Sequence, residues 1–233
     1  MSLSLGQLQA IGVDFFFPRR CIGCGRTGDF LCANCCQKLP WLLPPFCHKC
    51  GRSESSGALC PSCWGWQAKI DGIRSPFKFD GVIRQAIHGL KYHNLKAISG
   101  RLAELLATYL QVNHVPGEVL VPVPLHPRRL RKRGYNQSGL LTQELGRLTA
   151  LPVVDDCLFR SKDSPPQART AAVENRRRNV TGAFVCRDQR LSGRHILLVD
   201  DVCTSGVTLD ACAEALKAAG AVSVWGLTLA RET

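Results

Sequence analysis

From residue 70 onward the apolar positions alternate between two rhythms. Val82, Ile83, Ala86, Ile87 and Leu90 recur at helical spacing, as do Ile98, Leu102, Leu105, Leu106 and Tyr109, and again Leu140, Leu141, Leu145 and Leu148. Between them lie short apolar runs that read as strands: 119–123, ended by prolines, then 184–185, 196–199 and 222–229, with 70–79 a strand or short hairpin arm. The stretch 209–219 reads as a helix stopped by Gly220. Strands alternating with helices predict an α/β fold, a mainly parallel sheet with helices on both faces.

Before residue 70 that rhythm is missing and cysteine takes its place. Nine of the 13 cysteines precede residue 64, and eight form four C-x-x-C pairs: Cys21/Cys24, Cys32/Cys35, Cys47/Cys50 and Cys60/Cys63. Two thiolates two residues apart can face one ion from a tight turn, and two such turns complete a tetrahedral four-thiolate zinc shell. Gly25 and Gly51 follow two of the pairs, where a knuckle needs positive φ. A segment this short buries little core, whereas a structural zinc contributes on the order of 10 kcal/mol to such a module. The competing reading, a disulfide scaffold, needs an oxidising compartment. Residues 1–17 carry no Lys or Arg and are interrupted by Gly6, Gln7, Gln9, Gly12 and Asp14, which argues against an export signal and for the cytoplasm. The short intervening loops assign the first two pairs to one ion and the last two to a second. An interleaved cross-brace stays open at this point, as does ligation by Cys36 or His48. The expected division is a small zinc-binding unit, 1–69, before a larger α/β unit, 70–233.

The net charge of +12 suggests an anionic partner. Residues 128–133 hold five basic side chains in six, and 160–194 hold nine against Asp163, Glu174 and Asp188. Such runs are either solvated surface or an anion-binding face. The apolar runs are too short to cross a bilayer.

The sharpest motif spans 196–208. An apolar strand delivers Asp200 and Asp201 to its carboxyl end, where open α/β sheets bind ligands. Small and hydroxylated residues around Gly206 then lead into a helix, and a helix N-terminus suits a phosphate. Two carboxylates beside it can accept hydrogen bonds from a vicinal diol, so a ribose 5-phosphate is implied. A nucleotide hydrolase would need a G-x-x-x-x-G-K-[ST] loop, and the chain contains no Gly-Lys pair. A phosphorylation receiver cannot be completed in the 32 residues after Asp201. Gly23, Gly25 and Gly28 spell a dinucleotide fingerprint, but on a zinc knuckle rather than between a strand and a helix.

The 196–208 stretch resembles the phosphoribosyl pyrophosphate (PRPP) signature of type I phosphoribosyltransferases. Around it stand Pro122-Val123-Pro124-Leu125-His126, Arg133-Gly134-Tyr135-Asn136-Gln137, Gln167 with Arg177-Arg178-Asn179-Val180, Ala183-Phe184 and His88-Gly89-Leu90-Lys91-Tyr92. With the Cys-rich front end, that order is similar to the ComF/GntX family over nearly the whole chain.

The resemblance implies a type I phosphoribosyltransferase-like fold in which Asp200 and Asp201 hold the ribose hydroxyls. The cradle for the 5-phosphate would be Thr204, Ser205, Gly206 and Thr208, with Val202 and Val207 also among the PRPP-binding residues. Arg128, Arg129 and Arg133 become candidate partners of pyrophosphate, and 160–180 a flexible loop closing over the site. The implied chemistry is displacement of pyrophosphate through an oxocarbenium-like transition state, with Mg²⁺ on the PRPP. The acceptor is not readable. The family is associated with DNA uptake or utilisation beside a helicase-like partner, in the cytoplasm or at the inner face of the membrane. The alternative is a single-stranded DNA-binding accessory factor with a vestigial or regulatory PRPP pocket. Trp64 and Trp66 either stack on bases or pack the junction between the two units. His88, His93, His114, His126 and His195 read as surface or capping groups.

Overall fold

The computed structural model describes residues 18–55, 58–162, 180 and 182–232. The two long apolar segments at the end of the chain form its central strands, β6 (His195–Cys203) and β7 (Ser223–Arg231), paired in parallel with Leu197 opposite Trp225 and Val199 opposite Leu227. β3 (Val119–Pro122) lies on the other side of β6, with Val119 opposite Ile196. β1 (Gly72–Arg74) and β2 (Phe77–Lys78) follow one another along the outer edge of β7, so the described order is β1-β7-β6-β3 with β2 beyond β1. Every pairing in this sheet is parallel.

The 70–79 segment is therefore a single interrupted edge strand rather than a hairpin arm. The ladder stops at Ser75 and Pro76, since proline has no N–H to contribute. Ser75 Oγ instead lies 2.6 Å from Thr228 Oγ1 on β7.

Alternation along β6 feeds two cores. Ile196 and Leu198 join Val119, Val121 and Val224 under α6 (Val207–Ala218), which contributes Leu209, Cys212 and Leu216. Leu197 and Val199 join Leu120, Leu227 and Leu229 on the opposite face. That face is covered by α2 (Gly81–Tyr92), α3 (Ile98–Val112) and α5 (Gln137–Thr149) through Ile83, Leu90, Leu102, Leu106, Leu141 and Leu145. Helices on both faces bury both sides of the sheet, each large aliphatic side chain contributing about 1.5–3 kcal/mol.

Among the described α-helices and strands, three fall outside the predicted pattern. α1 (Ala33–Gln37) is a single turn in the Cys-rich segment, and β4 (Leu158–Arg160) pairs antiparallel with β5 (Phe184–Cys186). The third, α4 (Pro127–Arg133), folds the basic run into a helix with none of its residues buried. Most of 160–180, expected to form a closing loop, lies outside the described residues, as do 1–17. Among the described residues no helix is long and apolar enough to cross a membrane.

Candidate active site and metal centres

The Cys-rich segment folds into two similar halves. In each, the N–H of a glycine bonds back to the first cysteine carbonyl: Gly25 to Cys21 at 2.7 Å and Gly51 to Cys47 at 2.9 Å. Both glycines have positive φ, +74° and +72°. The second pair of each half sits at a helical turn, α1 for Cys32 and Cys35 and the 3-10 turn Pro61–Cys63 for Cys60 and Cys63.

Two clusters result, Cys21/Cys24/Cys32/Cys35 and Cys47/Cys50/Cys60/Cys63, with the thiols of each within 4.8 Å of one another. Pairing is sequential, and the cross-brace does not form. Cys24 Sγ and Cys32 Sγ are 3.7 Å apart, as are Cys50 Sγ and Cys60 Sγ. A tetrahedron of sulfurs around zinc at about 2.3 Å has edges near 3.8 Å, whereas a disulfide needs about 2.05 Å. The donor set and spacing fit two structural zinc ions, one in each four-cysteine cluster. Burial opposes ionisation of Cys21 and Cys47, but backbone N–H groups directed at each sulfur prevail and bring both thiols down to about 6. Cys36 is not in the first cluster and takes Arg101 Nη2 at 3.4 Å, and His48 stays outside the second.

The acid pair sits within β6 rather than after it, since the strand runs on to Cys203. Asp200 Oδ1 accepts from Ser138 Oγ at 2.7 Å and from the Asp201 N–H at 2.9 Å. Ser138 is held at the start of α5, where Asn136 caps the helix through the Ser138 N–H and donates to the Val123 carbonyl. Asp201 is 2% exposed and pairs with Lys91 Nζ at 2.8 Å. Its second oxygen, Oδ2, is buried and has no hydrogen-bond partner among the described residues. Burial first, and the neighbouring Asp201 charge second, push Asp200 up to about 7. Burial disfavours the charged form of Lys91, but Asp201 outweighs it and holds the amine above the ordinary lysine range.

Beyond the acids, residues 204–206 bend and α6 starts at Val207. Gly206 occupies the N-cap at φ +80°, and among the described residues no side chain caps the helix. The first N–H groups of this twelve-residue helix therefore suit a ligand or water. Val202, Thr204, Ser205 and Thr208 are partly buried around this turn, with Gly206 and Val207 beneath it.

On the other side of Lys91 opens a cavity of about 450 Å³ lined by Lys91, Tyr92, Asn94, Arg129, Lys132, Arg133 and Tyr135. Arg133 reaches Gln137 Oε1 and lies over the Tyr92 ring, and the Tyr135 hydroxyl donates to the Leu90 carbonyl. Arg129 and Arg133 therefore face the cavity, while Arg128 is exposed and does not line it. Four cations in one concave site suit a polyanion. Lys91 is a site residue that the sequence alone does not single out: it lies in the quoted His88–Tyr92 stretch, yet nothing local says that its amine meets Asp201. Ser138 directly follows the quoted Asn136 and Gln137, and nothing local says that its hydroxyl meets Asp200.

Residues 12–68 match the double zinc ribbon domain and 132–231 the phosphoribosyl transferase domain. Competence protein F of Haemophilus influenzae is 31% identical, over 92% of this chain and 99% of that protein. The DNA utilization protein YhgH of Escherichia coli K12 is 36% identical, over 86% of this chain and 91% of its own length. The chain belongs to the ComF/GntX family. Competence protein ComFC of Bacillus subtilis, 29% identical over 88% of this chain and 86% of that one, carries the ComF/GntX likeness to a third bacterium. Among solved structures, the ComF/GntX chain is similar to glutamine PRPP amidotransferase from B. subtilis complexed with ADP and GMP. That likeness has a TM-score of 0.42 and 18% identity, and covers 61% of this chain and 30% of the other.

Proposed function

We propose that this ComF/GntX protein binds PRPP, or a related ribose 5-phosphate, and acts as a phosphoribosyltransferase-like enzyme on an acceptor its relatives' names do not specify. The observation that carries the reading is the buried, unpartnered Oδ2 of Asp201, on the strand that runs directly into an uncapped helix N-terminus. Asp200 and Asp201 accept hydrogen bonds from the ribose hydroxyls, and residues 204–208 hold the 5-phosphate through backbone N–H groups. Lys91, Arg129, Lys132 and Arg133 neutralise the diphosphate as its bond to C1 lengthens, which is charge stabilisation of a leaving group. The all-oxygen acid pair fits Mg²⁺, which prefers substrate phosphates and water to a full protein cage and supplies charge neutralisation of the diphosphate when bound. Reduced cysteine clusters favour the cytoplasm. In this reading 70–233 carries the chemistry and 1–69 the zinc.

The test is thermal. PRPP with Mg²⁺ raises the melting temperature of the wild-type protein, and Asp200→Ala with Asp201→Ala abolishes the rise; a wild-type protein indifferent to PRPP would sink the reading. The names of the relatives, competence and DNA utilization, favour a second reading, single-stranded DNA binding along the basic α4 face, alone or beside a helicase-like partner. In that case affinity falls steeply with salt.

A further inference from the structure

The two cysteine clusters are tied to different parts of the molecule. The first shares a core with α2 and α3: Cys21, Leu31, Cys35 and Leu39 pack with Ile83, Leu90 and Leu102. The second forms its own small cluster whose packing partner is Trp66, and Trp66 also packs into the core beneath α6. A Cβ placed on Gly206 would lie 3.1 Å from Trp66 Cη2 and 2.9 Å from Ile73 Cδ1. The indole thus rests on the glycine of the phosphate turn, at the one residue there with φ near +80°.

Arg231, 2% exposed at the end of β7, makes a second tie. Its Nη1 donates to the carbonyl of Cys50 at 2.7 Å and reaches Cys203 Sγ at 3.0 Å. Cys50 belongs to the second cluster, and Cys203 is the residue before the turn. A third tie comes from α6 itself: Asp210 Oδ1 accepts from the Lys69 and Ile70 N–H groups at 2.6 and 3.0 Å, fixing the connection between the second cluster and β1. The Cys47–Gly51 knuckle also sits directly on β1, with the Ile73 N–H bonded to the Lys49 carbonyl at 2.8 Å.

A buried guanidinium is costly unless well paired, and Arg231 Nε has no partner among the described residues. An aliphatic side chain would fill the space without that cost. What arginine adds is a directed bond to a cluster residue and to the start of the turn, beside a tetrathiolate zinc of net negative charge. Resting on the reading that 204–208 hold a phosphate, we propose that Trp66 and Arg231 are positioning residues through which the second cysteine cluster sets the conformation of that turn, so that sugar-phosphate affinity depends on zinc at the second cluster rather than at the first.

The experiment compares full-length, zinc-loaded wild type with Trp66→Ala, Trp66→Phe, Arg231→Met and Cys24→Ser. Zinc content, hydrogen exchange over 203–209 and calorimetric titration with ribose 5-phosphate are measured on each. Trp66→Ala and Arg231→Met keep both zinc ions, lose exchange protection over 203–209 and bind ribose 5-phosphate about tenfold more weakly. Trp66→Phe restores both. Cys24→Ser, which opens the first cluster, leaves both unchanged. Wild-type exchange and affinity in Trp66→Ala and Arg231→Met would overturn the proposal, as would an equal loss in Cys24→Ser. Should Trp66→Ala fail to fold, Arg231→Met decides alone. A wild-type protein that does not bind ribose 5-phosphate sinks the sugar-phosphate reading, and the exchange measurement still decides whether the cluster holds the turn.

Discussion

Asp200 and Asp201 are neighbours with the same side chain, and their surroundings divide the work between them. Asp201 is buried against the Lys91 amine, which compensates its charge, while Asp200 accepts, among the described residues, from the Ser138 hydroxyl and a backbone N–H and feels Lys91 more weakly. Burial and the adjacent negative charge therefore raise Asp200 from 3.8 to about 7. The sign of the linkage follows. Between 3.8 and about 7 the folded protein keeps a proton that the unfolded chain has released, so this group makes stability fall as pH rises through that window. Asp200→Asn removes the titration, and denaturant midpoints measured at pH 5 and pH 8 should differ less in the variant than in wild type. An unchanged pH difference would place the raised proton elsewhere. Neither Lys91 nor Ser138 could be matched to its acid from local sequence, because helix and strand periodicities say which face a residue occupies but not what another element brings to it.

Long helices with a buried apolar stripe were legible, and the short basic helix without one was not. Predicted helices at 82–90, 98–109 and 140–148 became α2, α3 and α5, and the apolar run 196–199 became part of β6. The basic run was different. Its helix, α4, has no apolar stripe and exists through its ends: His126 accepts from the Arg128 N–H, Pro127 occupies the first turn, and Gly134 closes it at φ +81°. His126 is thus a capping group, one of the two roles the sequence allowed it. Since Lys132 is exposed on α4, it can be altered without disturbing the fold. Lys132→Ala should change stability by no more than about 0.5 kcal/mol while weakening pyrophosphate binding, checked by denaturation and by titration with pyrophosphate. Undiminished pyrophosphate affinity would remove the cavity from the site.

Across the whole molecule, the cysteine clusters are not appendages. The first shares a core with α2 and α3, and the second is bonded to β1 and β7, while the connection that follows it is bonded to α6. Loss of both metals together should consequently lower the stability of the whole chain. Calorimetry with a chelator is expected to show one cooperative transition shifted well down in temperature, a structural zinc being worth on the order of 10 kcal/mol. A small early transition followed by an unshifted main one would show that the clusters fold independently. The two tryptophans beside the second cluster resolve at this scale: Trp64 is 81% exposed, whereas Trp66 packs at the junction. Cys203, the residue before the 204–206 turn, is buried, and burial raises its thiol to about 11 despite Arg231, so it remains a neutral thiol at ordinary pH.

The cysteine clusters, the parallel α/β architecture and the acid pair leading through a glycine turn into a helix could all be read along the chain. Those features are local: ligand spacing, the period of apolar positions and the order of residues along one strand and turn carry them. Folding in three dimensions was needed to pair Lys91 with Asp201, to set Ser138 beside Asp200, and to join the second cluster to the turn through Trp66 and Arg231. Such contacts link residues far apart in the chain, and they arise from how the two cores close around the sheet rather than from any pattern a single segment displays.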